Sequence, residues 1–230
     1  VLLRGADGRF SDAGVRALGE LSAADVPYVF VSGRAAAQLR ETARILGAAG
    51  ALPELGALDA GYPVRAGQSV FEAIGETGVP DEILARFPAL RRHDPQVGRR
   101  EGSHCYRGVV GPEVAAWVAE RSGGALRFVD NGVIGPGQTR VWHLVPAAAG
   151  KAASVARDIA ARGAGRAGTL AVGDSPEDLE LASVVGRFVL VGNALAGRGG
   201  HLLRADGVRV TGGRYGAGVL EAVREWLADG

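Results

Sequence analysis

The stretch T-L-A-V-G-D-S-P-E-D-L-E-L, Thr169 to Leu181, constrains the fold of this chain more than any other. Thr169 to Val172 are apolar or β-branched and read as the end of a buried strand. Gly173 permits a sharp turn, Asp174 and Ser175 follow at the strand's carboxyl end, and Pro176 is placed to open a helix. Ligands of open parallel sheets collect at that edge. Asp174 and Asp178 are one helical turn apart, which puts both carboxylates on one side of a single site. Such hard oxygen donors suit Mg²⁺, which is usually held by one or two carboxylates plus substrate phosphate. The same pair also serves as a helix start with two solvated acids, and spacing alone leaves both readings open.

The rest of the chain extends the strand-turn-helix rhythm. Val1 to Leu3 read as a short strand ending in Arg4-Gly5-Ala6-Asp7-Gly8. Ser11-Asp12 caps a helix whose Val15, Leu18 and Leu21 recur at helical spacing. Val26 to Val31 form a second strand closed by Ser32-Gly33-Arg34, a helix covers Ala35 to Leu46, and Ala51 to Ala57 make a strand and turn. From Leu58 the texture changes, with frequent Pro and Gly and basic residues at Arg91, Arg92, Arg99, Arg100 and Arg107. Helices are expected over Asp81 to Phe87 and Pro112 to Arg121, with strands over Ser103 to Val110, Ala125 to Val129 and Thr139 to Leu144. Asp130-Asn131-Gly132 predicts a hairpin turn between the last two. After Pro146 the rhythm returns: a helix over Lys151 to Ala161, the Thr169 strand, a helix over Pro176 to Val185, and a strand over Phe188 to Val191. A weak helix over Leu195 to Leu203, a strand over Val208 to Thr211 and a helix over Val219 to Leu227 complete it. The expected fold is α/β, a Rossmann-like doubly wound parallel sheet formed by residues 1–57 and 144–230, with residues 58–143 inserted as a small α+β cap.

Bulk properties narrow the partners. The 230 residues carry a formal net charge of +1, which gives no electrostatic reason to expect nucleic acid or an anionic membrane. No apolar run approaches a membrane span, no leader is expected, and the single Cys105 cannot form an internal disulfide, so a cytoplasmic setting is expected. The chain opens on Val1 and contains no Met, so its natural start is expected upstream.

Polar groups stand at four strand ends or helix starts: Asp7, Ser32, Lys151 and Asp174. Ser32 offers a hydroxyl, Gly33 close backbone approach, and Lys151 a point charge for phosphate. Read singly, Ser32 also serves as a simple cap and Lys151 as a solvated lysine. His104 and Cys105 have no metal-ligand spacing with other Cys or His and read as packing or surface residues.

These segments resemble the haloacid dehalogenase (HAD) superfamily in its Cof-type or sugar-phosphatase branch, over nearly the whole chain. V-F-V-S-G-R at Val29 to Arg34 resembles the second motif, H-L-V-P-A-A-A-G-K at His143 to Lys151 the return from the cap to the third-motif lysine, and G-D-S-P-E-D at Gly173 to Asp178 the fourth. P-E-L-G-A at Pro53 to Ala57 is similar to the family's E-N-G-A turn, with Leu55 in place of Asn. V-G-N-A at Val191 to Ala194 and G-A-G-V at Gly216 to Val219 are similar to late segments. The resemblance implies a Mg²⁺-dependent site for a phosphorylated small molecule, with Ser32, Gly33 and Lys151 on the phosphate. It implies Asp174, Asp178 and the Asp7 backbone carbonyl on the metal, and Asp7 as general acid. A cap in this family sets substrate choice, so Arg99, Arg100 and Arg107 are candidates for an anionic part of a ligand; a solvated strand face is the alternative and the commoner case.

The first motif departs from the family's D-x-D-G-T. It stands as Gly5-Ala6-Asp7-Gly8-Arg9, so Gly5 occupies the place of the nucleophilic aspartate. Glycine has no side chain to attack phosphorus, and the metal loses a carboxylate too. Enzymes accelerate phosphate-monoester hydrolysis by up to ~10²¹-fold. Serine proteases stripped of a triad member keep only about 10³–10⁴ over water. The expectation is therefore a phosphatase-like pseudoenzyme that binds a phosphorylated small molecule, a sugar phosphate by the resemblance, or a protein partner. The alternatives are an active phosphomonoesterase on a sugar phosphate, and a purely structural partner in an assembly.

Overall fold

The computed structural model describes residues 11–93, 100–134, 139–196 and 208–229. The Val1 to Leu3 strand, Gly5, Asp7 and Arg99 therefore lie outside the described residues. The chain divides into two compact units: Val1–Val29, Leu46–Ala49 and Val155–Gly230 form one, Phe30–Ile45 and Gly50–Ser154 the other. The boundaries cut through β1 (Val29–Val31), which pairs with β2 (Gly50–Leu52), and through α6, introduced below.

The first described element of the first unit is α1 (Asp12–Ala23), where the Ser11 hydroxyl accepts the Gly14 N–H. The expected apolar stripe is displaced. Ala17 and Leu18 are buried while Val15 is exposed, because the helix turns its small residues toward α7 (Tyr215–Asp229). Ala17, Val191, Val219, Leu220 and Val223 make the core of that pair. β7 (Leu170–Gly173), β8 (Arg187–Leu190) and β9 (Arg209–Val210) form a parallel sheet in that order, with Gly173 opposite Leu190 and Leu190 opposite Val210. The segment Pro176–Ser183, expected as an α-helix, winds as a 3₁₀-helix, and so does Gly192–Ala196; residues 197–203 of the expected weak helix are outside the described set.

In the second unit α2 (Ala36–Ile45) follows β1, and a 3₁₀ turn at Glu54–Gly56 follows β2. α3 (Val70–Glu76) was not foreseen; Ser69 and Glu72 close a capping box at its start. α4 (Val79–Arg86) and α5 (Glu113–Arg121) match expected helices. An antiparallel sheet holds β3 (Arg91–Arg92), β4 (His104–Arg107), β6 (Thr139–Pro146) and β5 (Leu126–Ile134), in the order β3-β4-β6-β5. Tyr106, Leu126, Phe128 and Leu144 on one face pack against Ile74, Val79, Ile83, Val114 and Val118 from the three helices. Burial pushes the Tyr106 hydroxyl up from its ordinary pKa, and it donates to the Pro80 carbonyl.

Asp130-Asn131-Gly132 is not the hairpin turn that its composition predicts. β5 runs on to Ile134, and the three residues form a bulge, where the pairing of β5 with β6 shifts between Asp130 and Val133. Gly132 takes φ 80° and donates to Asp130 Oδ1 at 2.9 Å. An Asp side chain bonding forward to a left-handed Gly stabilises a bulge as well as a turn, so composition did not separate the two.

Finally, α6 (Lys151–Ala161) occupies the span expected for it. Its first turn belongs to the second unit.

Candidate functional site

Ser32, Gly33, Arg100, Arg107 and Lys151 belong to the second unit, Asp174 and Asp178 to the first.

The Ser32 loop is built by its carbonyls. The Ser32 carbonyl accepts from Leu55 N at 3.1 Å, the Arg34 carbonyl from Glu54 N at 3.0 Å, and the Gly33 carbonyl from Arg100 Nη1 at 3.2 Å. No peptide bond here is cis. In a planar trans peptide the carbonyl and the following N–H point in opposite directions. With carbonyls 32, 33 and 34 turned toward Leu55, Arg100 and Glu54, each following N–H, of Gly33, Arg34 and Ala35, points away from its own carbonyl's partner. The Arg34 N–H meets the Ser32 hydroxyl there, 3.2 Å away. Successive N–H groups on one side make a concavity for an anion, and the hydroxyl stands beside them. Gly33 is closely approached: a Cβ there would lie 3.0 Å from the Asn131 Oδ1 and 3.3 Å from the His143 ring, so either side chain would have to give way slightly. Asn131, in the β5 bulge, is thus a neighbour of the loop that sequence reasoning read only as a turn residue.

Glu54 was read only as part of a turn, yet its residue is 0% exposed. Oε1 accepts from Ala36 N at 3.2 Å and Glu101 N at 3.0 Å; Oε2 accepts from Gly102 N at 3.0 Å and the Ser103 hydroxyl at 2.8 Å. Arg100 Nη1 lies 3.9 Å from Oε2 and donates to Ser103 Oγ at 2.9 Å. Buried carboxylates persist only when donors satisfy their lone pairs, and these do. Glu54 and Leu55 both take left-handed backbone, φ 52° and 58°. Side chains larger than glycine adopt it at a cost of order 1 kcal/mol. The Arg100 side chain is 12% exposed, whereas Arg107 is exposed on β4 opposite Arg91 of β3.

The same turn carries Lys151. Gly150 N donates to the Leu55 carbonyl at 2.7 Å, so Leu55 links the Ser32 loop to the start of α6. Gly56, at φ 72°, lies so close to α6 that a Cβ would sit 2.5 Å from the Ser154 Cβ. Burial holds the His143 imidazole down at a pKa of about 3, helped by the positive charges of Arg100, His93 and Lys151. Cys105 Sγ lies 3.5 Å from His143 Nδ1, and His104 stacks on Phe71 with Nε2 2.9 Å from the Phe71 carbonyl.

The Asp174 loop is closed largely by Asp178. Asp178 Oδ2 accepts from Asp174 N at 3.0 Å, Ser175 N at 3.2 Å and the Ser175 hydroxyl at 2.9 Å. Gly173 makes room, since a Cβ there would lie 2.5 Å from the Asp178 Cβ. Asn193 Oδ1 accepts the Tyr215 N–H at 2.6 Å, which leaves its Nδ2 to donate to Asp174 Oδ2 at 3.3 Å. Asn193, quoted from the sequence only within the V-G-N-A segment and given no site role there, orients Asp174. Among the described residues no three His, Cys, Asp or Glu side chains gather as a metal site. One oriented carboxylate and a second already bonded suit an ion that keeps waters and shares a phosphate, the habit of Mg²⁺.

No protein-family model matches the chain, and no curated protein does. Solved structures do. A Thermoplasma acidophilum protein is similar at TM-score 0.69 and 16% identity, over 98% of this chain and 93% of that one. A haloacid dehalogenase-like hydrolase from Bacteroides thetaiotaomicron is similar at TM-score 0.67 and 19% identity, over 97% and 95%. The sucrose-phosphatase of Synechocystis, solved with sucrose and phosphate, is similar at TM-score 0.64 and 17% identity, over 94% and 92%. The fold of this chain is that of the haloacid dehalogenase-like hydrolases.

Proposed function

We propose that this protein binds a phosphorylated small molecule, a sugar phosphate by class, in a Mg²⁺-assisted HAD phosphatase-like site, and that its hydrolytic step is impaired. Residues 1–57 and 144–230 form the core carrying the site, and residues 58–143 form a cap. The observation that carries the reading is the bonding of the Ser32 loop, whose carbonyls at 32, 33 and 34 are held by Leu55, Arg100 and Glu54 while the Arg34 N–H meets the Ser32 hydroxyl; trans peptide geometry turns the N–H groups of residues 33–35 away from those partners. Those amides, the hydroxyl and the Lys151 ammonium hold phosphate without any nucleophile. Asp174 and the Asp7 backbone carbonyl hold Mg²⁺, and Asp178 holds the Asp174 loop in shape. Bound Mg²⁺ supplies neutralisation of phosphate charge.

Gly5 accounts for the impairment. Asp7, at the general-acid position, protonates a leaving oxygen, but nothing at position 5 attacks phosphorus. With one carboxylate missing, Mg²⁺ alone binds weakly and phosphate strengthens it. The similarity to a sucrose-phosphatase supports a sugar phosphate as ligand. A protein partner is compatible with the same surface, a cytoplasmic setting remains part of the proposal, and among the described residues no helix is long and apolar enough to cross a membrane.

A second reading, an active phosphomonoesterase, is favoured by the intact bonding of the Asp174 loop. Calorimetric titration with inorganic phosphate, with and without Mg²⁺, tests binding. The expected result is saturable binding strengthened by Mg²⁺ and weakened about tenfold or more by Lys151→Ala. No binding under either condition contradicts both readings.

A further inference from the structure

We propose that Glu54 is the positioning residue of the anion-binding loop, acting with Arg100, and that it makes the state of the 100–103 segment a determinant of phosphate affinity. The inference rests on the reading of the Ser32 loop as a phosphate site.

An anion loop needs its N–H groups aimed before the ligand arrives, since orientation established on binding costs affinity. Within the Ser-Gly-Arg-Ala segment one internal bond, from the Arg34 N–H to the Ser32 hydroxyl, fixes a single peptide plane. Here the planes are fixed from behind: Glu54 N and Leu55 N hold two of the three carbonyls, and Arg100 holds the third. What sets those donors in place is the Glu54 carboxylate. It takes both the Ala36 N–H, at the start of α2, and the Glu101 N–H on one oxygen. The other oxygen takes Gly102 N and the Ser103 hydroxyl, and Arg100 is anchored to that same hydroxyl. The carboxylate thus ties the residues after the loop to the segment that supplies the third carbonyl's donor.

A neutral amide cannot replace it. All four partners of Glu54 serve as donors here, and three of them are backbone N–H groups that cannot reverse role. Glutamine brings one acceptor oxygen and an NH₂ that faces N–H groups. A buried donor left facing a donor loses its hydrogen bond without regaining water. The expected consequence of Glu54→Gln is a folded protein whose 100–103 segment and Gly33 peptide plane are no longer fixed.

The test is ¹⁵N–¹H correlation spectroscopy of the whole chain titrated with inorganic phosphate in Mg²⁺. In the wild type the Gly33 and Ala35 amide signals shift on phosphate addition. In Glu54→Gln the Gly33 shift is lost or greatly reduced and phosphate affinity falls about tenfold, while the free-state signals of Ser175 and Asn193 keep their wild-type positions. A folded Glu54→Gln with wild-type affinity and a wild-type Gly33 shift overturns the proposal while leaving the phosphate site standing. A wild type whose Gly33 and Ala35 signals do not respond to phosphate overturns both. Should Glu54→Gln fail to fold, Arg100→Gln decides by the same signals: loss of the Gly33 shift supports the clamp, and its retention refutes it.

Discussion

The Ser32 loop and the Asp174 loop are held by opposite means. The Asp174 turn is shaped mainly from within, by three bonds to Asp178 four or fewer residues away, with Asn193 orienting the Asp174 carboxylate from 19 positions on. The Ser32 loop and the helix start that follows it depend on residues far along the chain, with Glu54 reaching Ala36 across 18 positions and Arg100 reaching Gly33 across 67. A loop shaped mainly from within is most sensitive to changes among its own residues. A loop clamped from outside responds to segments that never touch a ligand, and its fixed orientation is exposed to every change in packing behind it.

Two glycines probe that difference, and the larger effect is expected at the clamped loop. Gly56→Ala places a Cβ 2.5 Å from Ser154 and forces it into left-handed backbone. Urea unfolding should show a loss of about 2–4 kcal/mol, with phosphate affinity falling as the Leu55 link to Gly150 is disturbed. Gly173→Ala pushes on the Asp178 carboxylate, whose Oδ2 would be 2.7 Å away. It should leave more stability than Gly56→Ala but abolish the Mg²⁺ enhancement of phosphate binding. If Gly173→Ala instead spares that enhancement, the Asp174 loop is not the metal side of the site.

Per pH unit, a smaller effect comes with acid. His143 packs against Gly33 and is kept neutral in the fold, at a pKa of about 3. Unfolded, an ordinary imidazole takes up its proton near pH 6.5. Above that pH the group costs nothing. Below it the unfolded chain binds a proton that the fold refuses, so stability falls as pH drops from about 6.5 toward 3, by up to ~1.4 kcal/mol per pH unit. Urea midpoints measured across that range should fall less steeply for His143→Gln than for the wild type. Equal slopes would remove His143 from the account.

The same contrast governs how much the sequence disclosed. Asp174 and Asp178 lie four positions apart, and a helix start converts that spacing directly into one loop. The span of α6, the capped start of α1 and the α/β rhythm were legible for the same reason, since periodicity and caps are local. The face of α1 was not, because Ala17 is buried by a helix near the other end of the chain. Glu54 looked like an acid in a turn, and nothing nearby announced that its partners would be Glu101, Gly102 and Ser103, 47 to 49 positions on. The local signs were the likeness of P-E-L-G-A to the family's E-N-G-A turn and an acid two residues before a glycine in an otherwise apolar stretch. Asn193 and Asn131 were hidden likewise, one behind a bond 19 positions back to Asp174, the other inside a bulge whose composition also writes a hairpin.

Binding without turnover is the central claim, and phosphate release measures it most directly. Wild type, Gly5→Asp and Gly5→Asp/Asp174→Asn are assayed with Mg²⁺ over a panel of sugar and aryl phosphates. The account predicts negligible release by the wild type and measurable release by Gly5→Asp, lost again in the double variant. Robust release by the wild type that vanishes in Asp174→Asn would contradict it and make the protein a working phosphatase.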